Sequence, residues 1–238
     1  MDYRIGLDIG ITSVGWAVLE NNSQDEPKRI VDLGVRIFDA AEVPKTGEAL
    51  AAKRRAARTT RRRLRRRRHR LERIRYLLQK EGLIDIEKFN ERYHKGNLPN
   101  VYELRLKGLD SLLSDDEFAQ ILIHIAKHRG FKSTRKSEAQ DTEGGKVLKE
   151  TSENQKIMLE KGYRTVGEMI CKDEKFITDC PWSVVHYEIT PRNKQDDYRH
   201  TILRDMLVEE VHILFARQRE MGNVHLSEAL EEKYIEIM

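Results

Sequence analysis

The sequence predicts a mainly α-helical protein with a small N-terminal β-meander, one long arginine-rich helix and a further α-helical region. Three observations predict this fold class. Residues 1–48 contain short apolar stretches bounded by turn residues, which are typical of strands. Residues 49–82 form a basic stretch with neither Gly nor Pro before Gly82. Residues 83–238 carry repeated helix-capping residues, so we divide the chain into these three ranges.

Composition limits the class of protein. The chain has 238 residues, 39% hydrophobic and 35% charged, so it can bury a sizeable core in one or two domains. Its two cysteines, Cys171 and Cys180, do not suggest a disulfide framework. No apolar segment reaches the ~18 residues of a membrane span, and Met1 leads into a strand-like stretch rather than a signal peptide. We therefore expect a cytoplasmic protein.

Three strands are predicted near the N-terminus, at Tyr3–Ile9, Val14–Glu20 and Ile30–Phe38. A short Gly-Ile-Thr-Ser turn separates the first two, and a polar loop separates the next two, so they form an antiparallel meander. The apolar residues of the first strand predict that it is buried, with Asp8 near its end. A three-stranded sheet by itself leaves one face uncovered.

Asp8 is the candidate catalytic and metal-binding residue. A carboxylate in an apolar strand, beside Gly6 and Gly10, requires a polar partner or a metal ion. The pattern Asp-x-Gly-x-x-Ser-x-Gly-Trp resembles the opening of the RNase H-like superfamily. That resemblance leaves open a RuvC-type nuclease Asp that holds Mg²⁺ and the phosphate-binding hairpin of sugar kinases and actin-like ATPases. A third alternative is an Asp that only caps a turn.

The stretch Lys53–Arg75 concentrates the positive charge of the chain. It contains 13 Arg and one Lys against a single acid, Glu72. Because the whole chain carries a net charge of only +4, the rest of the sequence is net negative. A block of like charge is often a disordered tail, so the spacing of its apolar residues decides how it is interpreted.

That spacing predicts a helix. Ala57, Leu64, Leu71 and Leu78 recur every seven residues and draw a narrow apolar seam along one helix of roughly 30 residues, which ends at Gly82. Arginines at consecutive positions point all round the helix axis, so half of its surface cannot lie in an apolar core. A polyanion on several sides would neutralise them.

Nucleic acid is the polyanion that we predict. Each guanidinium can bind a phosphate bidentately, and the release of counterions makes such binding tight and salt-sensitive. A solvated helix without a ligand is the alternative, whereas a membrane-surface helix would need an aromatic belt that the seam lacks. The predicted RNA contacts of this helix are Arg54, Arg55, Arg58, Arg61, Arg62, Arg63, Arg65, Arg66, Arg67, Arg70 and Arg73.

Several shorter helices are predicted after Gly82. Each begins at a capping residue, namely Asp85, Asn100, Ser114, Thr165 or Ser227. A longer helix is predicted over about residues 201–221. Two segments are predicted to be irregular: the Gly-rich residues 141–145, which we expect to be mobile, and residues 178–198, which contain two prolines and form a long loop.

A basic loop is predicted after the Ser114 helix. Phe131 lies among its basic residues, so the loop can contact RNA phosphates and stack on a base. The ordinary alternative is a solvated loop. The predicted RNA contacts here are Lys127, Arg129, Lys132, Arg135 and Lys136.

Two other candidate sites are less favoured. His124 and His128 have the four-residue spacing that lets two imidazoles share a zinc ion, but neither a catalytic Glu nor a third ligand accompanies them. The two cysteines lack a Cys-x-x-Cys pair, so we interpret them as buried or half-buried thiols.

Four segments, taken together, resemble the RNA-guided DNA endonucleases of type II CRISPR systems, particularly subtype II-C. They are IGLDIGITSVGWAVLE, AAKRRAARTTRRRLRRRRHRLERIRYLL, HIAKHRGFKSTRKSE and YRTVGEMI. The resemblance implies that residues 1–48 are the first segment of a split RNase H-like RuvC fold. It further implies that residues 49–82 are the arginine-rich bridge helix and that residues 83–238 are an α-helical recognition lobe, truncated at its C-terminus.

The resemblance also implies partners and a cofactor. The fragment would bind guide RNA and the guide–target DNA heteroduplex, and an acidic anti-CRISPR protein is a further possible partner. Asp8 would bind Mg²⁺ or Mn²⁺ in the full-length enzyme, whereas the fragment would be inactive because a two-metal nuclease needs several carboxylates. The alternatives are a non-catalytic arginine-rich RNA-binding protein and a fragment of an actin-like or sugar-kinase-type ATPase.

Overall fold

A computed structural model describes residues 2–43, 45–96, 98–132, 142–179, 187–189, 193 and 197–238. The strands are β1 (Tyr3–Ile9), β2 (Ser13–Asn21), β3 (Pro27–Ile37), β4 (Ile177–Asp179) and β5 (Tyr187–Ile189). The helices are α1 (Ala52–Lys80), α2 (Ile86–His94), α3 (Val101–Lys107), α4 (Asp115–Lys127), α5 (Thr142–Glu160), α6 (Val166–Lys172), α7 (Arg204–Glu220) and α8 (Glu228–Ile237). The described chain is therefore mainly helical, as predicted.

The chain divides into two compact units, residues 1–64 and residues 65–238, with the boundary inside α1. The first unit contains the predicted meander, in which antiparallel strands follow the order β1-β2-β3. Asp8 lies opposite Gly15, whereas Trp16 lies opposite Leu7 and Gly34 on the other face of the sheet. β3 begins at Pro27, so part of the predicted polar loop belongs to the strand.

The prediction that β1 is buried is wrong. All seven of its residues are exposed, including Ile5 at 56% and Leu7 at 63%. The strands of this sheet make their main contacts with one another, so its apolar side chains have no covering layer among the described residues of the unit. Apolar alternation identifies a strand, but it does not show which element covers that strand.

Helix α1 is continuous over 29 residues, and Gly82 follows it with a φ of +78°. The burial of its apolar seam changes along the helix. Ile74, Leu77 and Leu78 are buried in the core of the second unit, whereas Leu64 is 60% exposed. Only the C-terminal half of the predicted seam is therefore a packing surface, and we call α1 the arginine helix from here on.

Helix α4 lies at the centre of the second unit, with eight buried residues. Phe118 packs edge-to-face on Phe215 of α7, with their ring centroids 5.0 Å apart. Tyr234 of α8 is fully buried, and its hydroxyl donates a hydrogen bond to the carbonyl oxygen of Leu122 at 2.7 Å. These contacts attach α7 and α8 to α4.

A buried ion pair joins α3 to α7. The Arg105 guanidinium donates to both carboxylate oxygens of Glu210, at 2.7 and 2.5 Å, and the two side chains are 3% and 0% exposed. The backbone N–H of Gly167 in α6 donates to the same carboxylate at 3.3 Å. A Cβ at position 167 would lie 2.7 Å from Cβ of Arg105 and 2.8 Å from the carboxylate, so only glycine fits this approach.

The predicted capping residues are confirmed. Side-chain oxygens of Asp85, Asn100, Ser114, Thr165 and Ser227 accept backbone N–H groups at the starts of α2, α3, α4, α6 and α8. Ser114 also forms the complete predicted capping box with Glu117.

The prediction for the irregular segments is wrong in three places. Residues 142–145 belong to α5, which the sequence analysis missed because two glycines dominate its start. β4 and β5 pair antiparallel within the predicted long loop, most of which lies outside the described residues. Helix α7 begins at Arg204 rather than at about residue 201, because the preceding residues pair with the segment after α4.

Glu210→Ala is expected to lower the free energy of unfolding by about 3–5 kcal/mol, because it leaves the Arg105 guanidinium buried and unpaired. Glu209→Ala is the matched control, since Glu209 is the exposed neighbour on the same helix. Thermal unfolding should show a decrease in Tm of roughly 10 °C for the first variant and little change for the second. Equal Tm values would contradict a structural role of the ion pair.

Candidate nucleic-acid interface

The predicted arginines of α1 are solvent-accessible. All of them are exposed except Arg67 and Arg70, which are half-buried. The acid of this helix, Glu72, binds Arg68 at 2.7 Å. In the part of the chain that the structure describes, no carboxylate lies within ion-pair distance of the predicted α1 arginines. Their charge is therefore available to an external anion.

Five arginines come together in the second unit, and we call them the arginine cluster. Arg66, Arg67 and Arg70 are on α1, Arg129 follows α4, and Arg204 begins α7. The Arg70 Nε atom donates to the carbonyl oxygen of Ala126 at 3.1 Å, and Arg129 donates to a backbone oxygen of Met238, the last residue of the sequence, at 3.1 Å. The bond to Ala126 holds the Arg70 guanidinium group without neutralising it.

The loop after α4 positions Arg129 beside Arg204. Phe131 forms a parallel bridge with Leu203, in which its N–H donates to Ile202 and its carbonyl accepts the Arg204 N–H. Gly130 has a φ of +78°, and a Cβ there would lie 2.9 Å from the backbone of Arg204. Glycine at this position is therefore required for the close approach of the two segments.

The positive charges of the arginine cluster lie close enough to repel one another. Burial, followed by the charges of Arg129, Arg204 and Arg67, lowers the pKa of Arg70 from its ordinary value. Burial and the charges of Arg204 and Arg66 likewise lower the pKa of Arg129. The buried Nε atom of Arg204 has no hydrogen-bond partner within the described ranges. An anion bound beside the cluster would relieve the repulsion.

The remaining predicted contacts have mixed outcomes. Lys127 is the last residue of α4 and is half-buried, and Lys132 is exposed. Arg135 and Lys136 lie outside the described residues. Sequence reasoning missed Arg204, because it lies far along the chain from the basic stretches and only folding brings it to them.

Asp8 occupies an open position on the first unit. Its side chain is exposed, and Gly15, its cross-strand neighbour, offers no side chain to cover it. A carboxylate oxygen suits a hard cation such as Mg²⁺. Across the described ranges, no group of three or more His, Cys, Asp or Glu side chains is arranged to hold a metal ion. Asp8 can therefore supply one ligand but not a complete site.

The rings of His124, in α4, and His128, the residue that follows α4, lie 4.7 Å apart. Burial lowers the pKa of His124 from 6.5 to about 2, so its imidazole is neutral. It packs edge-to-face on Tyr102, with a centroid distance of 5.2 Å. His124 is thus a packing residue.

The half-buried Cys171 donates to the carbonyl oxygen of Tyr102, and Cys180 lies outside the described ranges.

Comparison with known proteins identifies the family. The CRISPR-associated endonuclease Cas9 of Campylobacter jejuni is 38% identical over 242 residues, which cover 98% of this chain and 23% of that protein. The Cas9 of Staphylococcus aureus is 36% identical over 160 residues, covering 67% of this chain and 14% of that protein. The chain belongs to the Cas9 family. No protein-family model matches the chain.

Solved Cas9 structures have the same fold over this region. The crystal structure of Campylobacter jejuni Cas9 in complex with sgRNA and target DNA (AGAAACA PAM) aligns with 100% of this chain and 29% of its own, at 33% identity and a TM-score of 0.67. A cryo-EM structure of an St1Cas9-sgRNA-AcrIIA6-tDNA59-ntPAM complex aligns at 25% identity and a TM-score of 0.59, over 99% of this chain and 25% of its own. The chain therefore spans about a quarter of these Cas9 proteins.

No helix in the described ranges has both the length and the apolar character that crossing a membrane requires. The Cas9 relatives named above come from bacteria.

The stability of the chain is expected to fall on acidification from pH 7 to pH 4. Burial lowers the pKa of His124 to about 2 and that of His200 to about 4, both below 6.5. The unfolded chain therefore takes up protons first, and stability that is present above pH 6.5 is lost as the pH falls, by up to about 1.4 kcal/mol per pH unit for each histidine.

Urea unfolding of His124→Gln at several pH values tests this expectation, since the variant should lose less stability between pH 6.5 and pH 4. The matched control is His69→Gln, because His69 is exposed on α1. The same pH dependence in His124→Gln and in the unmodified chain would show that folded His124 takes up its proton at the same pH as in the unfolded chain, so that burial does not lower its pKa.

Proposed function

We propose that this chain is the N-terminal part of a CRISPR RNA-guided DNA endonuclease, and that its own activity is binding guide RNA and the guide–target heteroduplex. The observation that carries the proposal is the arginine cluster, in which five cations from three segments converge and no Asp or Glu side chain of the described residues lies within ion-pair distance. The Campylobacter jejuni Cas9 structure, which contains sgRNA and target DNA, supports nucleic acid as the missing anion.

The proposal assigns a role to each range of the chain. Residues 1–48 are the first segment of the RuvC nuclease, residues 49–82 the bridge helix, and residues 83–238 the first part of the recognition lobe. The exposed apolar sheet is consistent with a segment that packs against the remainder of a larger nuclease domain. The arginine helix is consistent with a bridge that binds RNA along its length.

Phosphate contacts, rather than base contacts, would dominate binding by the arginine helix. Guanidinium groups that point all round a helix match a polyanion that curves around it, and they do not share one face that could enter a groove. Such contacts position the RNA without reading its sequence. Specificity for a particular RNA scaffold would then depend on its shape and on contacts elsewhere.

The full-length protein would be a metal-dependent nuclease. Asp8 would bind Mg²⁺ or Mn²⁺ together with carboxylates from other parts of that protein, and the metal would supply Lewis-acid stabilisation of the phosphodiester. The contribution of this chain is an exposed carboxylate held at a fixed register beside Gly15. The 238-residue chain alone would be inactive as a nuclease.

An acidic protein partner would fit the same surface. The St1Cas9 complex named above contains AcrIIA6. Carboxylates can bind guanidinium forks bidentately, as phosphates do. An acidic anti-CRISPR protein that docked on the unpaired arginines of α1 would therefore compete with guide RNA for them.

Arg62→Ala together with Arg66→Ala is expected to weaken RNA binding and flatten its dependence on salt. Each lost phosphate contact should reduce the slope of log K against log salt by roughly 0.7–0.9. We exclude Arg70 from this variant, because its bond to Ala126 gives it a structural role. The measurement is a salt titration of binding to a structured RNA by fluorescence anisotropy.

Two controls accompany that titration. Arg68→Ala removes one charge from the same helix but affects an arginine that already binds Glu72, so its effect on the slope should be smaller. Arg66→Lys keeps the charge and loses the bidentate fork, so it should reduce affinity while retaining the slope. An unchanged slope in the double variant would mean that Arg62 and Arg66 do not contact the RNA backbone.

Asp8→Ala in the full-length protein is expected to abolish cleavage of one DNA strand and to leave guide RNA binding intact. Asp32→Ala is the control, because Asp32 is exposed on the other face of the same sheet, opposite Val18. A plasmid-nicking assay distinguishes nicked from linear product. Linear product at the unmodified rate would remove Asp8 from the nuclease site.

A further inference from the structure

A pocket opens between α2, α3 and α4 in the second unit, and we call it the α2–α4 pocket. Its volume is about 300 Å³. Its walls are mainly apolar or aromatic, and one cation lies among them. Six of the lining residues are Phe89, Tyr93, Leu98, Val101, Ile123 and Lys127.

The pocket has a buried floor and an exposed aromatic residue. Phe89 and Ile123 are 4% and 6% exposed, whereas Tyr93 is 57% exposed. The volume is at the lower end of the ~300–1,000 Å³ of small-molecule sites, so it suits one flat ring system rather than a large ligand. Tyr93 can stack on such a ring as it enters.

The polar lining residues are suited to a ring with a hydrogen-bonding edge. Gln120 lines the pocket, and its amide nitrogen donates to the carbonyl oxygen of Pro99 at 2.8 Å. Its amide oxygen is therefore the group that can accept a hydrogen bond from a ligand. His124 also lines the pocket and is neutral, so it adds no charge to the wall.

The pocket and the arginine cluster contact adjacent residues of α4. The carbonyl oxygen of Ala126 accepts the Arg70 guanidinium, and the next residue of α4, Lys127, lines the pocket. A nucleic-acid backbone that binds the arginine cluster would thus pass within about one helical turn of the pocket, with Lys127 available to a phosphate.

We propose that the α2–α4 pocket binds one unpaired nucleobase of the RNA that lies on the arginine cluster. A nucleobase has the apolar faces, polar edge and attached phosphate that these walls and Lys127 match, and RNA-binding proteins commonly hold unstacked bases against aromatic side chains. This inference rests on the proposed function, since it requires RNA on the arginine cluster.

Two synthetic RNA hairpins test the proposal with the complete 238-residue chain. One stem is fully paired, and the other has the same stem with a single unpaired 2-aminopurine nucleotide. The unmodified chain should bind the second hairpin about tenfold more tightly, as expected for one stacked base, and the 2-aminopurine fluorescence should fall on binding.

Two variants test whether the α2–α4 pocket causes the preference for the hairpin with the unpaired base. Val101→Trp fills the pocket, and Tyr93→Ala removes its exposed ring without disturbing the core. Both should abolish most of the preference and leave affinity for the paired hairpin within about twofold. Tyr3→Ala is the matched control, because Tyr3 is a similarly exposed tyrosine, at 66%, on the β-meander, and it should retain the full preference.

The outcomes separate this inference from the function on which it rests. Salt-dependent binding of the paired hairpin without any preference for the unpaired base would overturn the pocket assignment and leave the proposed function standing. A preference that persists in both variants would also overturn it. Failure of the paired hairpin to bind in a salt-dependent way would overturn both proposals.

Discussion

The bidentate ion pair between Arg105 and Glu210 constrains the helical unit more than any single apolar contact that we describe. Two charges removed from water are stabilised only while each has its partner, so α3 and α7 must keep one relative position. Gly167 brings α6 close enough for its N–H to join the same carboxylate. One buried interaction thereby aligns three helices that are distant in sequence.

The positions of the cationic residues depend on this alignment. Helix α7 carries Glu210 in its interior and Arg204 at its start, so fixing the helix also fixes Arg204. The bridge between Phe131 and Leu203 then holds Arg129 beside it. Several side chains that repel one another remain together because the apolar and ion-paired core determines their positions. Because a bound anion would reduce this repulsion, the repulsion favours anion binding.

Both units have features that a packed, isolated protein would not be expected to keep. In the first unit, β1 leaves Ile5, Leu7 and Ile9 in solvent, and in the second unit the arginine cluster lacks an Asp or Glu partner within the described ranges. An uncovered apolar sheet and uncompensated cations each favour association with a partner, the former through the hydrophobic effect and the latter through phosphate binding. The proposed function, in which this chain binds RNA and packs against other parts of a larger protein of the Cas9 family, would account for both.

The sequence by itself determined the local elements. The seven-residue period predicted α1, Gly82 predicted its end, and capping side chains such as Ser114 predicted the starts of later helices, because these signals act between residues within one or two helical turns. The sequence likewise identified the arginines of α1 and Asp8 as candidate site residues. Tertiary structure alone decided the rest: that the described residues cover neither face of β1, which arginines meet Arg204, and where a pocket opens beside Lys127. Those outcomes depend on packing between segments far apart in the chain, and local periodicity does not encode them.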